Sequence, residues 1–348
     1  MIPLIDVADG YTMPRIVVGG WQLASGHSPN QPDRDSLFSF WDGLLDRGFN
    51  TFDCADIYSG VEEAIGAFVR SRRDRGLALP QVHTKFVPDL ADLPTMDRGY
   101  VDRIVGRSLA RLGTERLDLV QFHWWDYSVD RYREVLGWLD DLRRDGRIRH
   151  LGLTNFDAVR MNELLATGIP IRSIQVQHSV IDRRPERGLD RILIANGIAQ
   201  FCYGGLAGGF LHERWLGTAP PATDRTRSAT KYRLVIEDAG GWSWFQEVLT
   251  ALDRVARRHG VDVPAVALRW LLDRPGVSAA IVGATRADQV AALTAAFGVH
   301  LTDEDRSAID AVTGPSPGPA GEVYEAERRA GSSHAAIMRY DLNARAGY

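Results

Sequence analysis

Eight short apolar runs, each followed by a stretch of helical periodicity, restrict what this 348-residue chain can fold into more than any other feature. They are Ile16 to Gly20, Thr51 to Asp53, Gln81 to Lys85, Leu119 to His123, His150 to Asn155, Ile174 to Gln177, Ala199 to Tyr203 and Ala279 to Gly283. Runs too short for helices, separated by amphipathic segments such as "FWDGLLDRG" that close on a glycine, read as buried parallel strands joined by crossover helices. Eight such units favour a closed (β/α)₈ barrel over an open doubly wound sheet, and about 250 residues plus insertions accounts for most of the chain. Asp9-Gly10, ahead of the first run, is a hairpin turn signal, so a small β-hairpin is expected to plug the N-terminal end of the barrel. Residues 204–245 form a long connection after the seventh strand, and residues 314–348 form a tail that "GPSPGP" separates from the last helix. The expected organisation is a barrel over 1–313 with a C-terminal extension over 314–348 packed on it.

In such a barrel the C-terminal strand ends converge on one face, and polar residues there are catalytic candidates. Asp53 ends the second strand, Lys85 the third and His123 the fourth, and the stretch "DCADIYSG" adds Asp56 and Tyr58 just beyond the second. Each has an ordinary reading taken singly: a helix cap, a snorkelling lysine, a core histidine, a packed loop tyrosine. Together they form a coherent set. A tyrosine can protonate a developing alkoxide, an adjacent lysine lowers its pKa, an aspartate holds the lysine, and a histidine hydrogen-bonds the substrate oxygen.

The stretches "GFNTFDCADIYSGVEEAIG", "HTKF", "DLVQFHWWD", "IRHLGLTNF", "IQVQHSVIDRR", "FCYGGLAGGFL" and "VALRWLLDRPGVSAAIVGATRADQV" occur in the order found in the aldo-keto reductase superfamily, which the chain resembles over roughly residues 10–312. The resemblance implies a catalytic tetrad of Asp53, Tyr58, Lys85 and His123, with Tyr58 the general acid, and a nicotinamide cofactor lying across the strand ends. Thr154, Asn155 and Gln175 match positions that bind the carboxamide, and Tyr203 matches the ring that stacks on the nicotinamide. Gly20 and Trp21 border the nicotinamide, and Gly204, Gly205, Leu206 and Gly208 would approach the pyrophosphate. Gly283, Thr285, Arg286 and Gln289 match the segment that binds the adenosine phosphate, and Arg286 with Gln289 point to NADP(H) rather than NAD(H). Departures from the family pattern are Leu293 in place of an adenine-binding Asn, Ala292 in place of Glu, "CYGGL" in place of "YSPL", and Ser59 between Tyr58 and Gly60. Trp21, Trp124 and Trp125 are candidate substrate walls for a sugar ring or an aromatic carbonyl. Trp242 and Trp244 either complete the pocket or anchor a lid. Arg183, Arg184 and Lys231 are candidates for an anionic substrate group, and His334 and Tyr340 in the tail are candidates to reach the site.

Composition removes other classes. A formal charge of −4, from 41 basic against 45 acidic residues, gives no electrostatic case for nucleic acid or an anionic membrane. Only Cys54 and Cys202 occur, each in an apolar run, which suits a reducing cytoplasm. No G-x-G-x-x-G follows the first strand, so a Rossmann site is not indicated, and no metal is expected. The resulting expectation is a cytoplasmic NADP(H)-dependent oxidoreductase interconverting a carbonyl (aldehyde, ketone or sugar) and an alcohol. The alternatives are a cofactor-binding redox-sensing regulatory subunit with little turnover, or a sugar or glycoside dehydrogenase working oxidatively. Nothing in the pattern specifies an oligomeric state.

Overall fold

A computed structural model describes residues 2–25, 27, 32–224, 226–285, 287–316 and 318–344. Its centre is a closed parallel barrel of eight strands. In chain order, after the hairpin strands β1 (Leu4–Ala8) and β2 (Tyr11–Pro14), these are β3 (Ile16–Gly19), β4 (Thr51–Asp53), β5 (Gln81–Phe86), β6 (Leu117–Phe122), β7 (Ile148–Thr154), β8 (Ile171–Gln177), β9 (Ala199–Tyr203) and β10 (Val277–Val282). Each strand pairs with its sequence neighbour and β10 closes on β3, aligning Ala280 with Ile16 and Val282 with Val18. All eight expected runs are strands, with ends displaced by no more than three residues.

The hairpin forms where Asp9-Gly10 predicts it: Ala8 pairs with Tyr11, and Gly10 takes φ 65°, a backbone state that glycine reaches without a Cβ penalty. Val7, Tyr11 and Met13 pack against Val17, Leu119, Phe201 and Ala279, and the Tyr11 hydroxyl lies 3.0 Å from His83 Nε2. One end of the barrel is thereby sealed with apolar side chains, which leaves the C-terminal strand ends as the working face.

The connection after β9 is more ordered than a plain loop. It carries a helix over Arg227–Ala239, capped by the Thr226 hydroxyl on the Ala229 N–H, and continues into a helix over Gly241–His259. Trp242 packs with Phe210, Trp215 and Phe245, and its Nε1 donates to the Thr218 carbonyl, while Trp244 Nε1 donates to the Val312 carbonyl. Both tryptophans therefore anchor this segment, and neither lines the catalytic hole.

The extension beyond Thr313 crosses the barrel mouth. Its far end is tied down by Asn343, whose Nδ2 donates to the Val87 carbonyl at 2.7 Å and whose N–H donates to Asp89. Among the described residues no helix is long and apolar enough to cross a membrane.

Candidate active site

Strand alternation determines which side chains reach the interior. Asp53, Lys85, Gln121 and Gln175 come from β4, β5, β6 and β8 and meet in one buried cluster. Lys85 Nζ donates to Asp53 Oδ2 at 2.6 Å and to the Cys54 carbonyl at 2.7 Å. The other aspartate oxygen, Oδ1, accepts from Gln121 Nε2 at 3.0 Å and from Gln175 Nε2 at 2.7 Å. With Asp53 3% and Lys85 5% exposed, this is a dry ion pair whose spare lone pairs are satisfied, the condition under which a buried pair is tolerated. Burial presses the Lys85 pKa down, but Asp53 and Tyr58 together outweigh it, so the ammonium is held charged above its ordinary range.

Tyr58 sits where β4 empties into its loop, with the Lys85 ammonium 4.9 Å from its ring centre. Trp21 covers another side of the tyrosine, ring centres 4.9 Å apart. The lysine does pull the phenol pKa downward, as expected, but burial is the larger effect and the net shift is upward. The unliganded protein thus keeps the proton on Tyr58. Asp56, two residues earlier, is a bracing group: its carboxylate accepts the Val87 N–H at 3.1 Å, tying the tyrosine loop to the exit of β5. Burial and the neighbouring Glu62 push Asp56 up to about 8 against the opposing charge of Arg107.

His123 follows β6 directly. Its Nδ1 lies 3.2 Å from the Thr154 carbonyl oxygen, so that nitrogen carries the hydrogen and Nε2 presents a lone pair. Nε2 is buried and has no partner among the described residues. Burial, followed by the charge of Arg328, holds the ring pKa at about 3, so it is neutral. Trp125 stands edge-on to the imidazole at 4.3 Å. Trp124 does not line a pocket: it is fully buried, with Nε1 donating to the Asp126 and Val129 carbonyls. Of the pair, it is Trp125 that faces the hole, against His123.

The candidate cofactor residues divide into two groups. Tyr203 keeps part of its ring exposed at the end of β9, and its hydroxyl donates to Asn155 Oδ1 at 2.9 Å. A flat ring beside a carboxamide side chain and an unpartnered imidazole nitrogen is a donor set that fits a nicotinamide. Thr154 and Gln175 are already engaged, Thr154 Oγ1 with the Gln175 carbonyl and Gln175 with Asp53. The glycines serve packing: a Cβ at Gly204 or Gly208 would collide with Tyr232, one at Gly205 with Leu271, one at Gly20 with Val61, and one at Gly283 with Gln22. Leu206 begins the short 3₁₀ turn between them and accepts the Gly209 N–H. On the adenosine side the Thr285 N–H donates to Gln289 Oε1 at 2.8 Å, Leu293 is buried in the core, and Arg286 lies outside the described residues.

Four residues of the extension complete the mouth: Tyr324, Glu327 and Arg328, which motif reading did not single out, and Tyr340, which it named as a candidate. Tyr324, with φ 60°, sets its ring 5.4 Å from that of His123. Arg328 Nη2 donates to the Trp124 and Asn155 carbonyls, both at 2.9 Å, and its guanidinium stacks on Tyr127 and Tyr324. Glu327, 1% exposed, pairs with Arg184 at 3.1 Å and with Lys231 at 3.4 Å. Tyr340 meets Trp125 with ring centres 5.1 Å apart, whereas His334 is turned to Asp238 at 2.9 Å. Arg184 also pairs with Asp182, and Arg183 with Glu186 and Asp310, so Arg183, Arg184 and Lys231 are all engaged in ion pairs within the protein.

A sequence profile of the aldo/keto reductase family matches residues 15–313. Flagellar radial spoke protein 5 of Chlamydomonas reinhardtii is 30% identical over 259 residues, 63% of this chain and 49% of its own length, so the chain spans about half of that relative. An NADH-specific methylglyoxal reductase of Escherichia coli (strain K12) is 29% identical over 331 residues, 84% of this chain and 93% of its own. The glycerol dehydrogenase of Gluconobacter oxydans superposes with a TM-score of 0.73 at 26% identity, covering 92% of this chain and 97% of that one.

Proposed function

We propose that the chain, which belongs to the aldo/keto reductase family, is a carbonyl–alcohol oxidoreductase that works through Tyr58 with NADP(H) as its cofactor. The observation that carries the mechanism is the meeting of Tyr58, the buried Lys85–Asp53 pair and the unpartnered His123 Nε2 at adjoining strand ends. When bound, a nicotinamide dinucleotide supplies or accepts the hydride. Tyr203 and Asn155 would hold its nicotinamide end, and Thr285, Arg286 and Gln289 its adenosine phosphate.

The protein's own part is proton and orientation chemistry. In reduction, Tyr58 gives its proton to the oxygen as negative charge develops there. Lys85 stabilises the phenolate that remains, and Asp53 fixes the lysine and keeps it charged. Neutral His123, with its lone pair on Nε2, accepts the hydrogen of the hydroxyl once Tyr58 has delivered it; in the oxidative direction that bond first places the alcohol, and the hydroxyl then turns its hydrogen to the Tyr58 phenolate, which takes it. A positioned acid of this kind contributes about 10²- to 10⁴-fold. Trp21 and Trp125 exclude water around the reacting oxygen.

A small-molecule carbonyl or sugar is the substrate class this mouth suits. Closure of the mouth by Tyr324 and Arg328 favours slow exchange, the property a redox-sensing subunit would use. Titration of tryptophan fluorescence with NADPH and NADH, followed by turnover on aldehydes, ketones and sugars, tests the reading. NADPH is expected to quench at the lower concentration, and Arg286→Ala to remove that advantage. Preference for NADH, which the name of one relative shows is found in this family, would overturn the cofactor assignment.

A further inference from the structure

Beside the tetrad lies a set of cationic and polar groups that the proton chemistry does not use. Arg227, the first residue of the helix over Arg227–Ala239, sets its guanidinium 4.9 Å from the centre of the Trp21 ring, and Trp21 is the residue that touches Tyr58. The arginine is partly buried, yet no carboxylate among the described residues pairs with it. Burial first, and then the charge of the exposed Arg339, press its pKa down. His27 borders the same space, with its ring 5.2 Å from Trp21. It is 6% exposed, and its Nδ1 is buried with no partner among the described residues.

A partly buried guanidinium without a counter-ion among the described residues, beside a buried imidazole nitrogen that has no partner among them, is an arrangement that an isolated fold disfavours. Around the mouth, Lys231 and Arg184 share Glu327, Arg184 holds Asp182, and Lys85 holds Asp53, whereas Arg328 donates from Nη2 to two backbone carbonyls and leaves Nε and Nη1 without hydrogen-bond partners among the described residues. Of the cations without a carboxylate, Arg227 is the one that borders Trp21, and through it Tyr58.

We infer that Arg227, with His27, receives an oxyanion carried by the substrate, a carboxylate or phosphate group set apart from the carbonyl that Tyr58 protonates. The inference rests on the oxidoreductase reading for the identity of the reacting end, and it adds the chemistry of the other end. A guanidinium stacked on an indole keeps its planar edge free, and that edge can meet two oxygens of a carboxylate or phosphate at once. Trp21 then does two things, forming one wall beside Tyr58 and setting the plane of Arg227. The adenosine phosphate is assigned instead to Thr285, Arg286 and Gln289, which follow β10.

The test compares acids with their neutral isosteres on the full-length protein. Binding of 4-(hydroxymethyl)benzoate and of its methyl ester is measured by calorimetry, together with reduction of 4-carboxybenzaldehyde against methyl 4-formylbenzoate, and of glyceraldehyde 3-phosphate against glyceraldehyde. The acid is expected to bind about tenfold or more tightly than the ester, the range of a charge-assisted hydrogen bond, and Arg227→Gln to abolish that ratio while Arg227→Lys retains part of it. The kinetic preference should fall through KM. Equal binding of acid and ester by the unmodified protein overturns the inference, as does an unchanged ratio in Arg227→Gln. Weakened NADPH binding in Arg227→Gln with an unchanged acid-to-ester ratio would place Arg227 on the cofactor instead. Acid-selective binding without turnover of any carbonyl would leave this inference standing and refute the oxidoreductase mechanism.

Discussion

Glu327→Gln is the substitution that most directly probes how the extension is held over the mouth. The carboxylate is 1% exposed, and its two partners, Arg184 and Lys231, come from the segment after β8 and from the helix after β9. Burial would raise its pKa, but the two cations prevail and hold it at about 2. At Lys231 the balance is reversed: burial exceeds the pull of Glu327, and its pKa falls. For a glutamate near 4.3 in the unfolded chain, the depression corresponds to about 3 kcal/mol of stability at neutral pH. Because the folded pKa is the lower one, that contribution is complete above about pH 4.3 and disappears as pH falls through about 2. Glutamine keeps the shape and one acceptor oxygen but removes the charge, leaving Lys231 buried with no ion pair, so a loss of about 3 kcal/mol is expected, at the lower end of the about 3–5 kcal/mol for breaking a buried pair. Hydrogen exchange across residues 318–344, combined with urea unfolding at pH 7 and pH 3, reads the effect. Exchange of the extension should quicken, and the difference between wild type and variant should shrink towards pH 3. Equal protection at pH 7, or a difference that does not change with pH, would refute the latch.

Asp53→Asn should cost about 3–5 kcal/mol, because it leaves the Lys85 ammonium in a dry site with neutral acceptors only and no counter-charge, and should lower carbonyl reduction by about 10²-fold or more. Thermal unfolding with steady-state kinetics checks both, and an unperturbed melting temperature would contradict the buried-pair reading. Asp56 behaves oppositely to Glu327 with pH. Its folded pKa of about 8 lies above the unfolded value, so the folded state keeps a proton that the unfolded chain releases, and stability declines as pH rises from about 4 to 8. Asp56→Asn should remove that decline and stabilise the protein at pH 8 relative to pH 5, measured by urea unfolding at both values. His123 should stay neutral down to about pH 4, visible as an imidazole resonance that does not titrate between pH 5 and 8.

The barrel was legible in the sequence because a parallel strand buried on both faces leaves an apolar run, and a crossover helix leaves a period of 3.6. The same regularity located Asp53, Lys85 and His123, since each ends a run. Gln121 was missed although the signal was present: in "DLVQFHWWD" it lies two residues before His123 and so shares its side of the chain. Trp124 and Trp125 could not be told apart, because β6 ends at Phe122 and strand alternation gives no rule in the loop beyond it. The extension was beyond reach for a different reason. Arg328 meets the Trp124 carbonyl across 204 residues and Glu327 meets Arg184 across 143, and no local periodicity encodes such a contact. Tyr324, Glu327 and Arg328 lie in "GEVYEAERRA", which reads simply as a short polar helix. The glycines of "YGGLAGG" point to a close approach, but the group that approaches in this structure is Tyr232, from a helix the sequence reading treated as lid.

The central claim is that Tyr58 supplies the proton from a hole built by Lys85, Asp53 and His123. Single-turnover reduction of an aldehyde by the NADPH-loaded protein, compared between wild type and Tyr58→Phe, tests it most directly. The account predicts unchanged NADPH binding and a hydride-transfer rate about 10²- to 10⁴-fold lower in the variant. A variant that reduces the aldehyde within a few-fold of the wild-type rate would contradict it.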